Sequence, residues 1–286
     1  IPGIGYEVNG SRRWIRLGFM NFQVSEATRV MLLMYVASYA VRRSDELRSD
    51  FRSFMVPVGV LAAAALLLLG EPDFGAATVL FATGLGVLFL AGARIVHLLV
   101  PVVAGSIGLA ALAVVSPYRL RRLTGFLDPW GDPFDSGFQL VQSLIAIGRG
   151  EWLGVGLGAS VQKLFYLPEA HTDFVFAVLA EEFGFLGVTV VVGLFALLVT
   201  RALLISREAA QAGQTYQSYV AAAIGIWLGL QAFVNIGVNM GLLPTKGLTL
   251  PLLSYGGSSM LVTLGWIGVL LRIHHDTQAT GRVRVA

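Results

Sequence analysis

A carboxylate stands where a long apolar segment of the chain begins. Asp173 directly precedes the run 174–179, Phe-Val-Phe-Ala-Val-Leu, and Glu169 and His171 lie shortly before it. Ionisable groups at the level of a membrane are costly, and chains that retain one commonly use it for function. The neighbouring Glu169 and His171 therefore favour Asp173 as a catalytic or ion-binding carboxylate. The alternative is a structural carboxylate at a helix N-terminus, stabilised by the helix dipole.

A second polar group of residues lies before the last apolar segment. It combines Lys246 with the adjacent glycines Gly256 and Gly257. Backbone N–H groups beside a positive charge can bind an anion. The pattern fits an anion-binding corner, and it fits equally a re-entrant turn that needs glycine for backbone reasons alone.

Further polar residues lie inside apolar segments, and we interpret them as structural. Glu181 and Glu182 follow Asp173 by about two helical turns, and we expect them to bond neighbouring helices. Three amides at helical spacing form one polar stripe: Gln231, Asn235 and Asn239. Such stripes in membranes most often bond neighbouring helices.

The composition identifies the class of protein. Of the 286 residues, 56% are hydrophobic and only 13% are charged, whereas a soluble domain of this length would need far more polar surface. Long, unalternated apolar runs predict an all-α polytopic membrane helical bundle. The absence of cysteine excludes a thiolate nucleophile and a cysteine-based metal site. The net charge of +3 is spread along the chain, which predicts no nucleic-acid binding.

The apolar segments predict about seven membrane spans, since a hydrocarbon core needs about 20 apolar residues per helix. They are 22–41, 54–70, 75–91, 95–115, 172–200, 219–240 and 257–271, with a tight turn between the second and third. The arginines of the short connections favour one side of the membrane, which predicts that the long loop 116–171 is extracytoplasmic. Within it, 139–147 is expected to form an amphipathic helix in the interface, and a loop of this length is typical of a binding element.

Several motifs resemble those of the SEDS family (shape, elongation, division and sporulation). They are Gly10-Ser11-Arg12-Arg13-Trp14, Pro72-Asp73-Phe74-Gly75, Phe138-Gln139-Leu140-Val141-Gln142-Ser143, the run 166–174 and the run 244–259. The Ala170-His171 pair and the run 246–249 are more similar to the cell-division branch than to the elongation branch. The family implies a bundle of ten helices, so we expect 1–286 to be a single SEDS-type transmembrane domain without its N-terminal helices. The family's Asp-Leu-Gly-Thr reads Asp73-Phe74-Gly75-Ala76 here, and no role of that threonine is carried over.

The resemblance implies a peptidoglycan glycosyltransferase that polymerises lipid II, a lipid-linked disaccharide-pentapeptide, by inverting displacement of polyprenyl diphosphate. The carboxylate treated as catalytic in the family matches Asp173, which would act as a general base or hold a divalent cation (Mg²⁺ or Mn²⁺). The tryptophan after the paired arginines matches Trp14. We expect the substrate to contact Trp14, Arg149, Lys163, Glu169, His171, Lys246 and Ser258, with the three cations Arg149, Lys163 and Lys246 at the diphosphate.

The resemblance also implies partners and a location. The partners are a class B penicillin-binding protein transpeptidase (FtsI-like) and the division activator complex of FtsQ, FtsL and FtsB. The location is the bacterial cytoplasmic (inner) membrane at the division septum. Two other functions stay open: a transporter that flips lipid II, which would need broken helices and polar groups at mid-membrane, and a non-catalytic scaffold for the transpeptidase.

Overall fold

The computed structural model describes residues 5–8, 11–16, 18, 21–115, 125–135, 137–164, 166–244 and 247–285. These residues are mainly helical, which confirms the predicted all-α class. The chain divides into two compact units. The first unit comprises Ile1–Pro101, Leu197–Leu230 and Gly256–Ala286, and the second comprises Val102–Ala196 and Gln231–Tyr255.

The first unit begins with a small antiparallel sheet that the composition did not predict. Its strands are β1 (Gly5–Val8), β2 (Ser11–Arg16) and β3 (Asn21–Gln23), in the order β1-β2-β3. Trp14 on β2 pairs with Tyr6 on one side and with Gln23 on the other. The sequence signal for this hairpin was the Asn9-Gly10 pair, which is typical of tight turns between strands.

Four helices follow in the first unit: α1 (Val24–Arg42), α2 (Ser44–Ser49), α3 (Phe51–Gly70) and α4 (Phe74–Leu90). The starts of α3 and α4 are fixed by aspartate caps, because Asp50 accepts the Ser53 N–H and Asp73 accepts the Ala76 N–H, each at 3.0 Å. The tight turn predicted between these helices is confirmed. Gly84 allows close packing of α4 on α3, since a Cβ there would lie 2.3 Å from Leu61 Cδ1.

The remaining helices are α5 (Ile95–Val115), α6 (Phe138–Gly150), α7 (Val175–Gln211), α8 (Thr215–Asn239) and α9 (Gly257–Val285). Helix α6 confirms the helix expected within the long loop. It buries Leu140, Val141 and Ala146 against the protein. Helix α7 starts three residues later than the predicted span at 172 and continues to Gln211, so Asp173 lies in the turn before the helix.

Four helical segments among the described residues are long and apolar enough to cross a membrane: α3, α7, α8 and Gly257–Ala279 of α9. Helix α4 and the stretch Ile95–Gly108 are shorter apolar helices. The most apolar stretch of α8 is 67% buried inside the protein, against 11% for α7. Helix α8 is therefore an interior helix, whose polar side chains must find protein partners, whereas most of α7 faces outward.

Candidate active site

The turn that carries Asp173 is built around one carbonyl group. The N–H groups of Thr172, Asp173 and Phe174 all donate to the Glu169 carbonyl, at 3.1, 3.1 and 3.2 Å. This geometry places Glu169 in the left-handed region, at φ 56°. Beneath the turn, a buried apolar cluster comprises Ala146, Leu167, Ala170, Phe174 and Ala177. The packed cluster fixes the turn, while the Asp173 side chain stays half-buried.

The polar stripe of α8 holds the backbone of Asp173. The Nδ2 atoms of Asn235 and Asn239 both donate to the Asp173 carbonyl, at 2.9 and 3.0 Å. Asn239 Oδ1 accepts the N–H of Ala177, at 3.1 Å in the first turn of α7. The prediction that the stripe bonds neighbouring helices holds for this contact of Asn239 with α7. The stripe also binds irregular backbone, because the turn before α7 has polar groups that no helical ladder pairs.

The segment after α8 reaches the same carboxylate. Asn235 Nδ2 also donates to the Leu248 carbonyl at 2.5 Å, and Gln231 Nε2 donates to the Thr249 carbonyl at 2.9 Å. Gly247, next to Leu248, lies so near Asp173 that a Cβ on the glycine would lie 2.9 Å from Asp173 Oδ2. One side of the carboxylate is therefore lined by backbone without a side chain.

Two further bonds tie this segment to the Asp173 turn. Ser254 Oγ donates to the Thr172 carbonyl at 2.5 Å and accepts the Leu250 N–H at 2.7 Å. The Tyr255 N–H donates to the His171 carbonyl at 2.8 Å. The segment 247–255 is thus held against the turn at both of its ends.

Glu181 is fully buried and organises the loop after α6. Its carboxylate accepts the hydroxyl of Ser160 at 2.5 Å and the backbone N–H groups of Val161 and Gln162 at 3.2 and 3.3 Å. Arg149 Nη1 lies 3.4 Å from Glu181 Oε1. The expectation that Glu181 bonds a neighbouring helix is met by Arg149 on α6, and the loop 160–162 supplies its other partners.

Glu182 forms the second pair of this region, with Lys163 Nζ at 2.5 Å. Two of the three cations expected at a diphosphate, Arg149 and Lys163, are therefore paired with a glutamate. Their side chains keep 47% and 26% of their surface exposed, so each can still contact a bound anion.

Helix α7 is interrupted at Gly184, where φ is 62° and ψ is −162°. The loop 151–156 satisfies the backbone groups freed by the break. The Glu181 and Glu182 carbonyls accept N–H groups from Val155 and Gly156, at 3.0 and 3.1 Å. The N–H groups of Phe185 and Leu186 donate to the carbonyls of Glu151 and Trp152, at 2.8 and 3.2 Å. Such replacement bonds are what an interrupted membrane helix requires.

Comparison with known proteins decides the family to which this arrangement belongs. Residues 1–279 match the FtsW/RodA/SpoVE family of cell cycle proteins. The chain belongs to this family. The resemblance to SEDS proteins inferred from the motifs is thereby confirmed.

The chain is similar to family members named FtsW. It is 59% identical over 285 residues to the probable peptidoglycan glycosyltransferase FtsW of Thioalkalivibrio sulfidiphilus, covering 100% of this chain and 71% of that protein. It is 60% identical over 278 residues to the probable peptidoglycan glycosyltransferase FtsW of Nitrosococcus halophilus, covering 97% and 72%.

Solved structures of the family give the same fold. One is described by the words "structural coordination of polymerization and crosslinking by a peptidoglycan synthase complex". It matches with a TM-score of 0.78 and 32% identity, covering 96% of this chain and 76% of that one. Rod shape determining protein RodA of Thermus thermophilus matches with a TM-score of 0.66 and 30% identity, covering 96% and 73%. The higher identity to proteins named FtsW agrees with the motifs of the cell-division branch.

The other site residues expected in this FtsW/RodA/SpoVE chain fall into three groups. Glu169 and His171 are exposed beside Asp173, and Glu169 Oε2 accepts the Thr172 hydroxyl at 2.7 Å. Trp14, half-buried on β2, and Ser258, buried in the first turn of α9, belong to the first unit, whereas Asp173 belongs to the second. Lys246 lies outside the described residues.

The expected divalent cation was tested against the donor set. In the described part of the chain, no three His, Cys, Asp or Glu residues form a group that could hold a metal ion. A protein site for Mg²⁺ usually takes one or two carboxylates together with substrate phosphates, so Asp173 does not form a site without the substrate. The residues present do not fit a dedicated metal centre, and the metal role of Asp173 stays a prediction.

Sequence reasoning missed the residues that surround Asp173. Gly247 and Ser254 received no role of their own, and Asn235 and Asn239 were assigned to helix packing. One sequence feature could have indicated these contacts: the amide stripe is followed directly by a segment rich in glycine, proline and hydroxyl side chains.

Proposed function

We propose that the chain is a peptidoglycan glycosyltransferase that polymerises lipid II, with Asp173 as the general base. One observation carries the proposal. The Asp173 carboxylate is half-buried, its backbone is held by two buried amides, and it borders a glycine that leaves room beside it. The relatives named peptidoglycan glycosyltransferase are 59% and 60% identical to this chain over the matched residues.

The reaction joins two sugars and breaks the bond between one anomeric carbon and its diphosphate. The C4 hydroxyl of one glucosamine attacks the anomeric carbon of a second glycan with inversion, forming a new C–O bond. The bond from that carbon to the diphosphate oxygen breaks, and polyprenyl diphosphate leaves with the electron pair. Asp173 takes the hydroxyl proton. General-base assistance is worth about 10²–10⁴-fold, so stabilisation of the leaving group must supply much of the remaining acceleration.

Arg149, Lys163 and Lys246 are the proposed source of that stabilisation. The exposed parts of Arg149 and Lys163 lie in the same unit as Asp173, and Lys246 directly precedes Gly247 in the sequence. Positive charges beside a departing diphosphate favour the transition state over the ground state, because negative charge develops on the leaving oxygen only as its bond to carbon breaks.

A pair of variants separates the two roles of Lys163. Lys163→Met alone would leave the buried Glu182 carboxylate unpaired and destabilise the fold. We therefore expect Lys163→Met in a Glu182→Gln background to fold, and to lower kcat for lipid II polymerisation about tenfold relative to Glu182→Gln alone, a loss typical of one charge-assisted contact made in the transition state. The measurement is the initial rate of polymerisation against lipid II concentration. Equal kcat values in the two proteins would assign Lys163 to the ion pair only.

Gly247→Ala tests the space beside the carboxylate. The added methyl would lie 2.9 Å from Asp173 Oδ2, so either the side chain or the segment must shift. We expect the polymerisation rate to fall about ten- to a hundredfold. Gly148→Ala is the matched control, because its Cβ meets nothing within 4 Å, and it should retain the rate of the parent protein. A fully active Gly247→Ala protein would contradict the placement of Gly247 at the reacting groups.

The transporter alternative gains one observation, the interruption of α7 at Gly184. Transporters use such breaks to expose backbone groups to substrate, whereas here the loop 151–156 pairs those groups. The deciding experiment places the full-length protein in liposomes with labelled lipid II on the outer face only. Formation of glycan polymer supports the enzyme, and transfer of lipid II without polymer supports a transporter. The absence of both polymer and transfer supports a scaffold.

The proposal extends to partners and location. A related structure is that of a peptidoglycan synthase complex that coordinates polymerization and crosslinking. On this basis we assign the chain a class B penicillin-binding protein transpeptidase as partner. The membrane-spanning helices and the FtsW relatives favour a place in the bacterial inner membrane. Action at the septum and activation by FtsQ, FtsL and FtsB belong to the same proposal.

A further inference from the structure

We propose that Asn235 and Asn239 are positioning residues for Asp173 in the transfer reaction. The proposal rests on the proposed function, because it assigns these amides to the geometry of the general base. Neither residue contacts the reacting atoms in this assignment. They act by fixing the position of the Asp173 main chain, which carries the carboxylate side chain.

Asn239 is fully buried and joins three elements. Its Nδ2 donates to the carbonyls of Asp173 and Asn235, at 3.0 and 2.9 Å. Its Oδ1 accepts the Ala177 N–H, and its own main-chain carbonyl accepts the hydroxyl of Ser143, at 2.8 Å. The start of α7, the end of α8 and helix α6 therefore meet at one residue, which leaves the Asp173 turn little freedom to move.

Asn235, which is 1% exposed, connects the main chain of Asp173 to the segment beside it. Its Nδ2 donates both to the Asp173 carbonyl and to the Leu248 carbonyl. One amide thus sets the position of Asp173 relative to the neighbouring Gly247. Removal of the amide would leave the buried Leu248 carbonyl without this donor and the Asp173 carbonyl with only one of its two amide donors, Asn239, and the two segments could then separate.

The same stripe contains its own control. Gln231 is also 1% exposed on α8 and also donates to a loop carbonyl, but its acceptor is Thr249. Loss of the Gln231 amide removes a buried hydrogen bond of the same type. A purely structural role for the stripe predicts equal consequences at all three positions, whereas positioning of Asp173 predicts a difference.

The experiment measures kcat and KM for lipid II polymerisation by the full-length protein in liposomes. Asn235→Leu and Asn239→Leu should lower kcat about tenfold to a hundredfold and change KM less than about twofold, because a shift of about 1 Å at the base affects the chemical step. Gln231→Leu should lose similar thermal stability and keep kcat within about twofold of the parent. Asn235→Gln and Asn239→Gln retain an amide in the helix and replace the leucine variants if those do not fold. These glutamine variants should also lower kcat, because the added methylene displaces the donor.

The results separate this proposal from the proposed function. If the parent protein makes no polymer, the enzyme assignment fails. If the parent is active and folded Asn235 and Asn239 variants keep the parent kcat, only the positioning role fails. A Gln231→Leu protein that loses kcat to the same extent as Asn235→Leu would also overturn it, because the stripe would then act through stability alone.

Discussion

Replacement of Asp173 by asparagine is expected to lower glycan polymerisation about 10²–10⁴-fold, the usual contribution of a general base. The amide cannot accept the proton of the attacking hydroxyl, whereas the change in size is negligible. The fold should persist, since the bonds from Asn235 and Asn239 go to the Asp173 carbonyl and not to its carboxylate. The measurement is polymer formed from labelled lipid II in liposomes, together with thermal stability in detergent.

Glu151→Gln is the matched control for this prediction. Glu151 is an exposed carboxylate of the same unit, and its carbonyl, not its side chain, bonds Phe185. We expect this variant to polymerise at the parent rate. An Asp173→Asn protein that is equally active would remove Asp173 from the chemistry, and with it the mechanism proposed above.

Replacement of Gly184 by alanine is expected to have the largest effect on stability. At φ 62° and ψ −162°, the backbone lies in a region that only glycine adopts without strain, at a cost of about 1–3 kcal/mol for other residues. The new Cβ would also lie 2.4 Å from Gly154 N, 2.6 Å from Gly150 O and 2.7 Å from Leu153 N. All three are backbone atoms, which cannot rotate away as a side chain can. The loop 151–156 would be displaced and its bonds to the interrupted helix lost.

We therefore expect Gly184→Ala to lower the midpoint of thermal unfolding strongly, or to prevent recovery of monodisperse protein. Gly193→Ala in the same helix provides the comparison, because its Cβ meets nothing within 4 Å and alanine favours a helix over glycine by about 1 kcal/mol. That variant should be as stable as the parent or slightly more so. Equal stability of the Gly184 and Gly193 variants would mean that the loop does not insert at the break.

The site was only partly predictable, because the sequence does not show which of several possible hydrogen-bond partners each polar side chain takes. An amide stripe on α8 can bond another helix or a loop, and spacing along one helix does not distinguish the two. Glu181 and Glu182 were read as bonds to neighbouring helices for the same reason. One partner, Arg149, lies on α6, and others, such as Ser160 and Lys163, lie in the loop that follows α6 and whose path the sequence does not show.

The amino-acid sequence was enough to predict most of the helices, the membrane class and the family, and it singled out Asp173 as the candidate catalytic residue. These properties depend on local quantities: the length of an apolar run, the cost of a charge at its edge and motifs of consecutive residues. Tertiary structure alone decided that Gly247 lies beside Asp173 and that Asn235, at a separation of 62 residues, holds its carbonyl. It also decided that Gly184 interrupts α7, because a glycine within an apolar run is compatible with a continuous helix until a loop supplies other partners for its backbone.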